Sequence, residues 1–328
     1  MGLVTHASAD GGLDPRKRQA SAQTRSQALR ARTPAEAESR MIQQAVFSAR
    51  FWQDWVQSGP PGKHEWEGEW EGEREGERLD EGASGGRSNA GAAPHGTAAR
   101  HAADLLAGHR RLLVVSPHPD DEVLMCSGLM QAQLQRGGAL EVLAVTDGEA
   151  CFGDGADRAA LGLRRRAEAK AGLRALSAMG AIGAIGAHAV PTHYFGLPDG
   201  AVANHERALE QRLCAHVRAG DVVVCTWRLD GHPDHDATGR ACAAACAARN
   251  ASLLEAPVWM WHWARPEHPS INWHQLVRMP LGSAQQARKQ LALQCHESQI
   301  TPSHQRPPIV DEGLQARARW PFECFFAT

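Results

Sequence analysis

From Ala102 onward the chain alternates short apolar runs with longer helical segments, and this alternation constrains the fold more than any other feature. The runs "RLLVVS", "ALEVLAVTDG" and "DVVVCTW" have the length of buried strands, and "APVWMWHWA" is predicted to be another. The segments "DEVLMCSGLMQAQLQRG" and "HDATGRACAAACAARN" have the length and composition of helices. Strands separated by helices of this length predict an α/β fold: a Rossmann-like, mainly parallel sheet with helices on both faces.

Composition divides the chain into four regions. Residues 1–32 are polar and rich in small residues, which predicts a disordered extension, and residues 33–58 predict a helix packed on the core. Residues 59–101 contain "EWEGEWEGEREGER", where dense like charge and regular glycines oppose both helix and strand. We interpret this region as an acidic linker, with a docking or metal-buffering tail as the alternative. Residues 102–328 form the predicted main domain.

Charge and hydropathy exclude several classes of partner. The 35 basic and 37 acidic residues give a formal net charge of -2, which offers no electrostatic case for nucleic acid. No apolar run approaches the roughly 18–20 residues that cross a bilayer, and the first residues lack the apolar core of a signal peptide. The 8 cysteines form no Cys-x-x-Cys pair, so reduced thiols are expected. We predict a cytoplasmic protein without stable membrane insertion, and leave open whether it is a homo-oligomer.

Two clusters of histidine and acidic residues follow predicted strands. "SPHPDDE" (116–122) ends the first strand, and "RLDGHPDHD" (228–236) comes after "DVVVCTW". In such sheets the carboxyl ends of the strands form the ligand-binding edge. Neighbouring carboxylates repel one another and are costly when half buried, unless a cation compensates them. Imidazole and carboxylate are usual ligands of catalytic zinc, so the clusters predict one shared cation site, which other divalent ions could also occupy.

The same residues also admit a structural interpretation. "HPDD" is a typical helix start, where the helix dipole favours Asp120, Asp121 and Glu122. We adopt this interpretation for Glu122 alone, because two independent clusters at strand ends favour a metal for His118 and Asp121. His296 is interpreted as a structural histidine.

The two motifs, in this order, resemble a known family. "PHPDDEVL" followed over a hundred residues later by "HPDH" is similar to the PIG-L / LmbE-like zinc-dependent deacetylases. That family includes the GlcNAc-PI de-N-acetylase and bacterial deacetylases of mycothiol and bacillithiol synthesis. The resemblance spans about residues 110–300. It implies an LmbE-like fold and Zn²⁺-dependent removal of an N-acetyl group from an N-acetylglucosamine-type conjugate, with zinc-bound water attacking the amide carbonyl.

The resemblance also implies roles for individual residues. The implied zinc ligands are His118, Asp121 and His235. Asp120 matches the general base that deprotonates the metal-bound water. His232 matches the histidine that stabilises the oxyanion and protonates the leaving amine, and Asp234 is expected to orient His232.

Substrate contacts are less directly indicated. Arg165 matches a position that contacts the sugar, and Asp199 of "LPDG" is a candidate acceptor for a sugar hydroxyl. The alternatives are a surface cation on a helix for Arg165 and a turn-forming aspartate for Asp199. The alternating Trp259, Trp261 and Trp263 are interpreted as core or interface packing rather than as a sugar-stacking face.

The predicted partner is therefore a small amino-sugar conjugate, and the predicted enzyme a metal-dependent amide hydrolase acting on a linear amide. One alternative is hydrolysis of a different amide in specialised metabolism, because the metal site dictates the reaction and not the substrate. Another is a metal-binding scaffold without catalysis. Asp120 argues against the scaffold, because a purely structural metal needs no base.

Overall fold

The computed structural model describes residues 45–58, 97–153, 157–178, 189–266, 268–302 and 306–327. The predicted disordered extension of 1–32 lies outside these residues, as do residues 33–44 of the predicted helix and most of the predicted linker.

The described strands form one 8-stranded sheet in the order β1-β7-β8-β6-β5-β2-β3-β4. The strands are β1 Ala98–Ala99, β2 Arg111–Ser116, β3 Ala139–Ala144, β4 Thr192–Tyr194, β5 Val222–Thr226, β6 Ser252–Ala256, β7 Leu276–Pro280 and β8 Phe322–Ala327. Every pairing is parallel except the two made by β8, which runs antiparallel to β6 and β7. The predicted mainly parallel sheet is confirmed.

Ten α-helices connect or cover these strands in the described part of the chain. They are α1 Ala49–Ser58, α2 Ala102–Leu105, α3 Asp121–Gln135, α4 Arg158–Ser177, α5 Glu206–His216, α6 Pro233–Arg249, α7 Met260–Trp263, α8 Ser283–Gln294, α9 Glu297–Ile300 and α10 Glu312–Arg317. None of the described helices combines the length and the apolarity that a membrane span requires.

Both faces of the sheet are covered, as the uninterrupted apolar runs of the central strands require. Every residue of β2 and of β5 is buried. Leu112 and Val114 face the core that includes Leu129 of α3. The alternate residues of β2 face a second core that contains Ala241 of α6. Helices therefore pack on opposite faces of the same strand.

Helix α1 lies on an aromatic cluster at one end of the sheet. Trp52 is fully buried, and its ring centroid lies 5.3 Å from that of Trp261 and 5.7 Å from that of Trp273. The indole N–H of Trp320 donates to the carbonyl oxygen of Ala49 at 3.1 Å. A further segment, β1, pairs with β7 just before the predicted start of the domain at residue 102.

The predicted strand "APVWMWHWA" (256–264) is wrong, because β6 ends at Ala256 and Met260–Trp263 forms α7. Pro257 has no N–H to continue a ladder. The carboxylate of Asp230 then accepts the backbone N–H groups of Val258, Trp259 and Met260 at 2.9, 3.0 and 2.9 Å. These bonds hold the segment in a turn, so the three tryptophans do not line one strand face.

Candidate metal centre

The two histidine-acid clusters meet because their strands are neighbours. β2 and β5 pair in parallel, so the loops after Ser116 and after Thr226 leave the same edge of the sheet side by side. The chain runs from β2 through β3 to β4 on one side, and then returns to place β5 on the other side of β2. Ligands bind in the crevice at such a reversal of strand order. His118 and His235 lie in this crevice.

Three ligand atoms from these loops form a nearly regular triangle. His118 Nδ1 lies 3.2 Å from Asp121 Oδ2, His235 Nε2 lies 3.2 Å from the same oxygen, and the two nitrogens are 3.3 Å apart. Donor atoms at tetrahedral corners around zinc, with bonds of about 2.0–2.1 Å, are separated by about 3.3–3.4 Å. The spacing of the three atoms therefore fits a divalent cation.

The tautomer of His235 is set by a carboxylate behind it. His235 Nδ1 lies 2.8 Å from Asp230 Oδ2, and both side chains are fully buried. When Nδ1 carries the proton and donates it to this carboxylate, Nε2 presents a lone pair to the triangle. A carboxylate in this position orients a metal-binding histidine and increases its basicity.

His118 is held in the complementary way. Its Nε2 lies 3.2 Å from Asp199 Oδ1 and 3.3 Å from Asp234 Oδ2, so a proton on Nε2 leaves Nδ1 free to bind a metal. Both carboxylates also accept backbone N–H groups: Asp199 from Ala150 at 2.7 Å, and Asp234 from Gly200 at 2.7 Å. A second possible ligand group, by spacing, consists of His118, Asp199 and Asp234. The two carboxylates of this group already have hydrogen-bond donors in these backbone N–H groups.

The charge inventory of the crevice also calls for a cation. Six carboxyl groups are buried there, those of Asp120, Asp121, Glu122, Asp199, Asp230 and Asp234. Arg165 is the buried guanidinium among them. Burial lowers the pKa of His118, but hydrogen bonds to the carboxylates outweigh it and raise the pKa well above its ordinary value. The donor set and its excess of negative charge fit a divalent metal, and neither identifies zinc over other divalent ions.

Asp120 lies next to the triangle without joining it. Its φ of 128° is in the left-handed region that non-glycine residues rarely adopt, and such strain is typical of functional sites. One carboxylate oxygen accepts from Arg165 Nη2 at 3.2 Å. Burial raises the pKa of Asp120 to about 8, against the opposing effect of Arg165. The carboxyl group is thus anchored, buried and placed to exchange a proton.

Arg165 is fixed by the backbone as well as by Asp120. Its Nη1 donates to the carbonyl oxygen of Gly148 at 2.7 Å, and its Nη2 donates to that of Pro119 at 2.9 Å. A Cβ at Gly148 would overlap with the guanidinium of Arg165, and the φ of Gly148 is 63°, so glycine is favoured at this position. Arg165 is therefore a buried anchor of the Asp120 loop rather than the surface cation considered as its alternative.

His232 is the histidine at the pocket wall. Its Nδ1 accepts the backbone N–H of Asp234 at 3.1 Å, so the neutral ring carries its proton on Nε2. Burial lowers the pKa of His232 well below its ordinary value, which keeps the ring neutral. The contact between these residues is made by the backbone of Asp234, whose carboxylate faces His118 instead. The predicted orientation of His232 by the Asp234 carboxylate is thus not the arrangement in the structure.

The crevice opens into a pocket of ≈ 620 Å³, including its mouth. The polar and charged residues that line it are His118, Asp120, Asp121, Arg165, Asp199, His232 and His235. The rest of the lining is largely apolar and consists of Leu124, Cys151, Val258, Trp259, Ile309, Val310 and Leu314. Seven of the eight site residues predicted from the sequence therefore line one pocket, and Asp234 lies directly behind it.

Two residues given a structural interpretation lie behind the pocket. Glu122 is buried, and one of its oxygens accepts from Ser116 Oγ at 2.9 Å and from the backbone N–H of Asp120 at 3.2 Å. It thereby braces the strained loop. His296 is fully buried, with Nε2 3.8 Å from the other oxygen of Glu122. Both belong to the support of the site.

Asp230 is the residue that the sequence analysis missed. It received no role, although it fixes His235 and shapes the loop from Val258 to Met260. A signal was present, because Asp230 lies in the loop after a predicted strand and precedes a predicted metal ligand by five residues. The residue types alone did not distinguish it from Asp236, whose carboxylate accepts the N–H of Gly231.

Comparison with known proteins identifies a family model that includes both of these loops. The PIG-L family model, described as GlcNAc-PI de-N-acetylase, matches residues 113–246. No curated protein matches the chain.

Several solved structures are similar to this chain. The conserved protein TT1542 from Thermus thermophilus is 25% identical over 63% of this chain and 84% of its own, with a TM-score of 0.43. The N,N'-diacetylchitobiose deacetylase from Pyrococcus horikoshii is 17% identical over 69% and 86%, with a TM-score of 0.46. The A40926 pseudoaglycone deacetylase Dbv21 is 20% identical over 67% and 97%, with a TM-score of 0.47.

The similarity rests on the family model, because all three TM-scores lie below 0.5. The matched segment contains both loops, and with them the three atoms of the triangle and Asp120. The resemblance predicted from "PHPDDEVL" and "HPDH" is confirmed. Residues 113–246 of this chain therefore match the PIG-L family model, whose description is GlcNAc-PI de-N-acetylase.

Proposed function

We propose that this protein is a metal-dependent amide hydrolase that removes the N-acetyl group from an N-acetylglucosamine-type conjugate. The observation that carries the proposal is the triangle of His118, Asp121 and His235 beside a carboxylate that is not part of it. A purely structural metal has no use for the adjacent Asp120. The description of the matching family supplies the acyl group and the sugar.

The metal would be held by His118 Nδ1, Asp121 Oδ2 and His235 Nε2, and we propose Zn²⁺ as the ion. Two imidazoles and one carboxylate are a frequent ligand set of hydrolytic zinc. A divalent cation in this place supplies Lewis acidity, which polarises a carbonyl and makes water nucleophilic near neutral pH.

Asp120 acts as the general base in this proposal. Its carboxylate takes a proton from the attacking water and passes it to the nitrogen of the leaving amine, so that water and amide become a carboxylic acid and an amine. Arg165 holds the carboxylate in place through Nη2, and Glu122 holds the backbone of Asp120. The base is thus positioned from two directions before substrate arrives.

His232 stabilises the negative charge that develops on the amide oxygen. Because Nδ1 accepts a backbone N–H, the proton on Nε2 is available to donate a hydrogen bond. A donor that is already oriented costs no reorganisation in the transition state.

The substrate is proposed to be a small amino-sugar conjugate, and the enzyme cytoplasmic, in keeping with its eight free cysteines. Arg165 and Asp199 are engaged with the protein, so we assign them to holding Asp120 and His118 rather than to a first contact with the sugar. The apolar residues that line the pocket, such as Leu124, Val258 and Leu314, favour a second candidate, an amide whose acyl or amine part is apolar.

The test is an assay of amine released from acetylated amino-sugar conjugates by the zinc-loaded protein. We expect turnover on at least one conjugate and metal bound at one ion per chain. Asp120→Asn should retain the metal and lose activity by about 10²–10⁴-fold, the usual contribution of a general base.

The control is Asp236→Asn, because Asp236 lies next to His235 in the first turn of α6 but accepts only a backbone N–H in the described contacts. Its metal content and activity should stay near those of the wild type. Full activity of Asp120→Asn would contradict the assigned role, and hydrolysis confined to amides with apolar acyl or amine parts would favour the second candidate.

A further inference from the structure

Three tryptophans alternate along residues 259–263, and the structure gives them different surroundings. Trp261 and Trp263 belong to the aromatic cluster on which α1 lies. The indole N–H of Trp261 donates to the carbonyl oxygen of Pro257 at 3.1 Å, and that of Trp263 donates to the carbonyl oxygen of Asp230 at 2.7 Å. Both of these rings therefore have a packing role.

Trp259 differs from both, because it lines the pocket beside the candidate metal centre and is only partly buried. Its indole N–H has no hydrogen-bond acceptor among the described residues. This N–H is also not sealed from solvent, unlike the unpaired indole N–H groups of Trp52, Trp55 and Trp273. Trp259 therefore has an apolar ring at the pocket and a donor that no described group of the protein uses.

The ring of Trp259 is held in place before a substrate arrives. Its backbone N–H donates to Asp230 Oδ2 at 3.0 Å. The imidazole of His262 lies against the indole, with ring centroids 4.7 Å apart and ring planes inclined by 33°. His262 is itself fixed, because its Nε2 lies 3.2 Å from Asp311 Oδ2 and its Nδ1 lies 2.9 Å from Arg317 Nη2. An aromatic side chain that is fixed in advance provides contact area at a low cost in conformational entropy.

Trp259 also lies close to the reacting group of the proposed mechanism. Its ring centroid is 6.3 Å from that of His232, the proposed donor to the amide oxygen. In an N-acetylamino sugar the amide nitrogen is bonded directly to a carbon of the pyranose ring, whereas the acyl part ends in a single methyl group. The group of ring size beside the amide is therefore the sugar. A pyranose ring carries C–H groups and hydroxyl groups together, and these match an aromatic ring that has an N–H donor.

We infer that Trp259 is a specificity-determining residue that binds the pyranose ring of the substrate. The indole carbons contact the C–H groups of the sugar, and the indole N–H donates to one of its oxygens. This inference rests on the proposed function, because it names the group to which the acetamide is attached. It replaces the sequence-based interpretation of Trp259 as core or interface packing. A substrate ring without hydroxyl groups would use the indole carbons and leave the N–H unpaired.

The experiment compares how two amines bind to the full-length protein in the presence of zinc. The amines are methyl glucosaminide and cyclohexylamine, which has a ring of the same size without hydroxyl groups. Neither can be deacetylated, so an NMR titration measures binding without turnover. Trp259→Phe keeps an apolar ring but loses the N–H, so we expect it to weaken the binding of methyl glucosaminide by about 2–10-fold, the usual contribution of one hydrogen bond, and to leave that of cyclohexylamine unchanged. Trp259→Ala should weaken the binding of both amines, and that of the sugar by more than Trp259→Phe does.

Leu229→Ala is the control, because Leu229 precedes Asp230 in the same loop but is exposed and does not line the pocket. It should bind both amines as the wild type does. Unchanged affinity of Trp259→Ala for methyl glucosaminide, or no binding of this amine by the wild type, would overturn the inference, and equal weakening of both amines in Trp259→Phe would overturn the assigned hydrogen bond. If the Trp259 variants do not fold, nuclear Overhauser effects between indole and sugar-ring protons in the wild type decide, and their absence overturns the inference. Because both ligands are amines, the outcome is independent of whether the protein removes an acetyl group, which the amine-release assay tests separately.

Discussion

His235 Nδ1 and Asp230 Oδ2 are 2.8 Å apart, and neither side chain has any exposed surface. Asp230 also accepts three consecutive backbone N–H groups from the loop that begins α7. One carboxylate therefore fixes both the tautomer of a histidine in the candidate metal centre and the wall of the pocket beyond it.

We expect Asp230→Ala to weaken metal affinity by about 10–100-fold, because His235 loses the partner that orients it. Competition with a chelator of known affinity measures the change. Asp236→Asn is the control and should bind metal as the wild type does. Equal affinities for Asp230→Ala and wild type would show that His235 does not depend on Asp230.

His232 is predicted to affect turnover without affecting the metal. His232→Ala removes the Nε2 donor and should lower kcat by about 10²–10³-fold, as the loss of an oxyanion donor does elsewhere. Metal content and KM should change little. His232→Gln retains an N–H donor and should recover part of the lost activity. A fall in metal content that matches the fall in kcat would instead place His232 among the ligands.

The candidate metal centre could be predicted because its residue types are rare in combination and follow two strands. A parallel α/β sheet brings such strand ends together, so the two clusters predict one shared cation site, and the family resemblance implies His118, Asp121 and His235 as its ligands. The strands β2 and β5 could be predicted equally well, because a short uninterrupted apolar run between turn signals is typical of a buried strand.

What the sequence analysis missed depends on contacts between distant segments. Asp199 is expected from the sequence to bind sugar. In the structure its Oδ1 lies 3.2 Å from Nε2 of His118, which is 81 positions earlier in the chain (199 − 118). The segment 256–264 does not form the expected strand, although its tryptophans alternate as in a strand. The hydrogen bonds of this segment to the Asp230 carboxylate hold it in a turn that leads into α7. Neither contact produces a periodic pattern in the sequence, so neither could be predicted from it.

His296 is predicted to make the protein less stable in acid. Burial, and then the charge of Arg165, lowers the pKa of His296 to about 3, from 6.5 in the unfolded chain. Between pH 6.5 and 3 the unfolded chain binds a proton that the native state does not. Stability therefore falls as the pH falls through this window, by up to about 1.4 kcal/mol per pH unit. Glu122 and Asp121 are the carboxyl groups that face this ring from α3.

His296→Leu should remove this contribution. Urea unfolding at pH 7 and pH 5, with chelator present so that acid release of metal plays no part, gives the difference between variant and wild type. We expect the variant to lose less stability than the wild type on going from pH 7 to pH 5. Parallel losses would mean that His296 takes up its proton in the native state as readily as in the unfolded chain.

The last prediction concerns the break in α3, the helix that begins with Asp121. Cys126 has φ -150° and ψ 26°, which interrupts the helix and frees backbone groups on both sides. Lys289 Nζ donates to the carbonyl oxygen of Leu124 at 3.0 Å, and Glu323 accepts the N–H of Gly128 at 2.9 Å. The buried ion pair thus replaces hydrogen bonds that the broken helix lacks.

Removing one partner should therefore cost more than removing both. Lys289→Met leaves the Glu323 charge buried and unpaired, which is expected to cost about 3–5 kcal/mol of unfolding free energy. In the double variant Lys289→Met/Glu323→Gln the glutamine oxygen still accepts the Gly128 N–H, and no charge is left alone, so we expect it to be more stable than Lys289→Met. Urea unfolding of the three proteins checks the order. A double variant less stable than Lys289→Met would contradict this expectation. It would show that the Glu323 carboxylate stabilises the broken helix by more than its unpaired charge destabilises the protein.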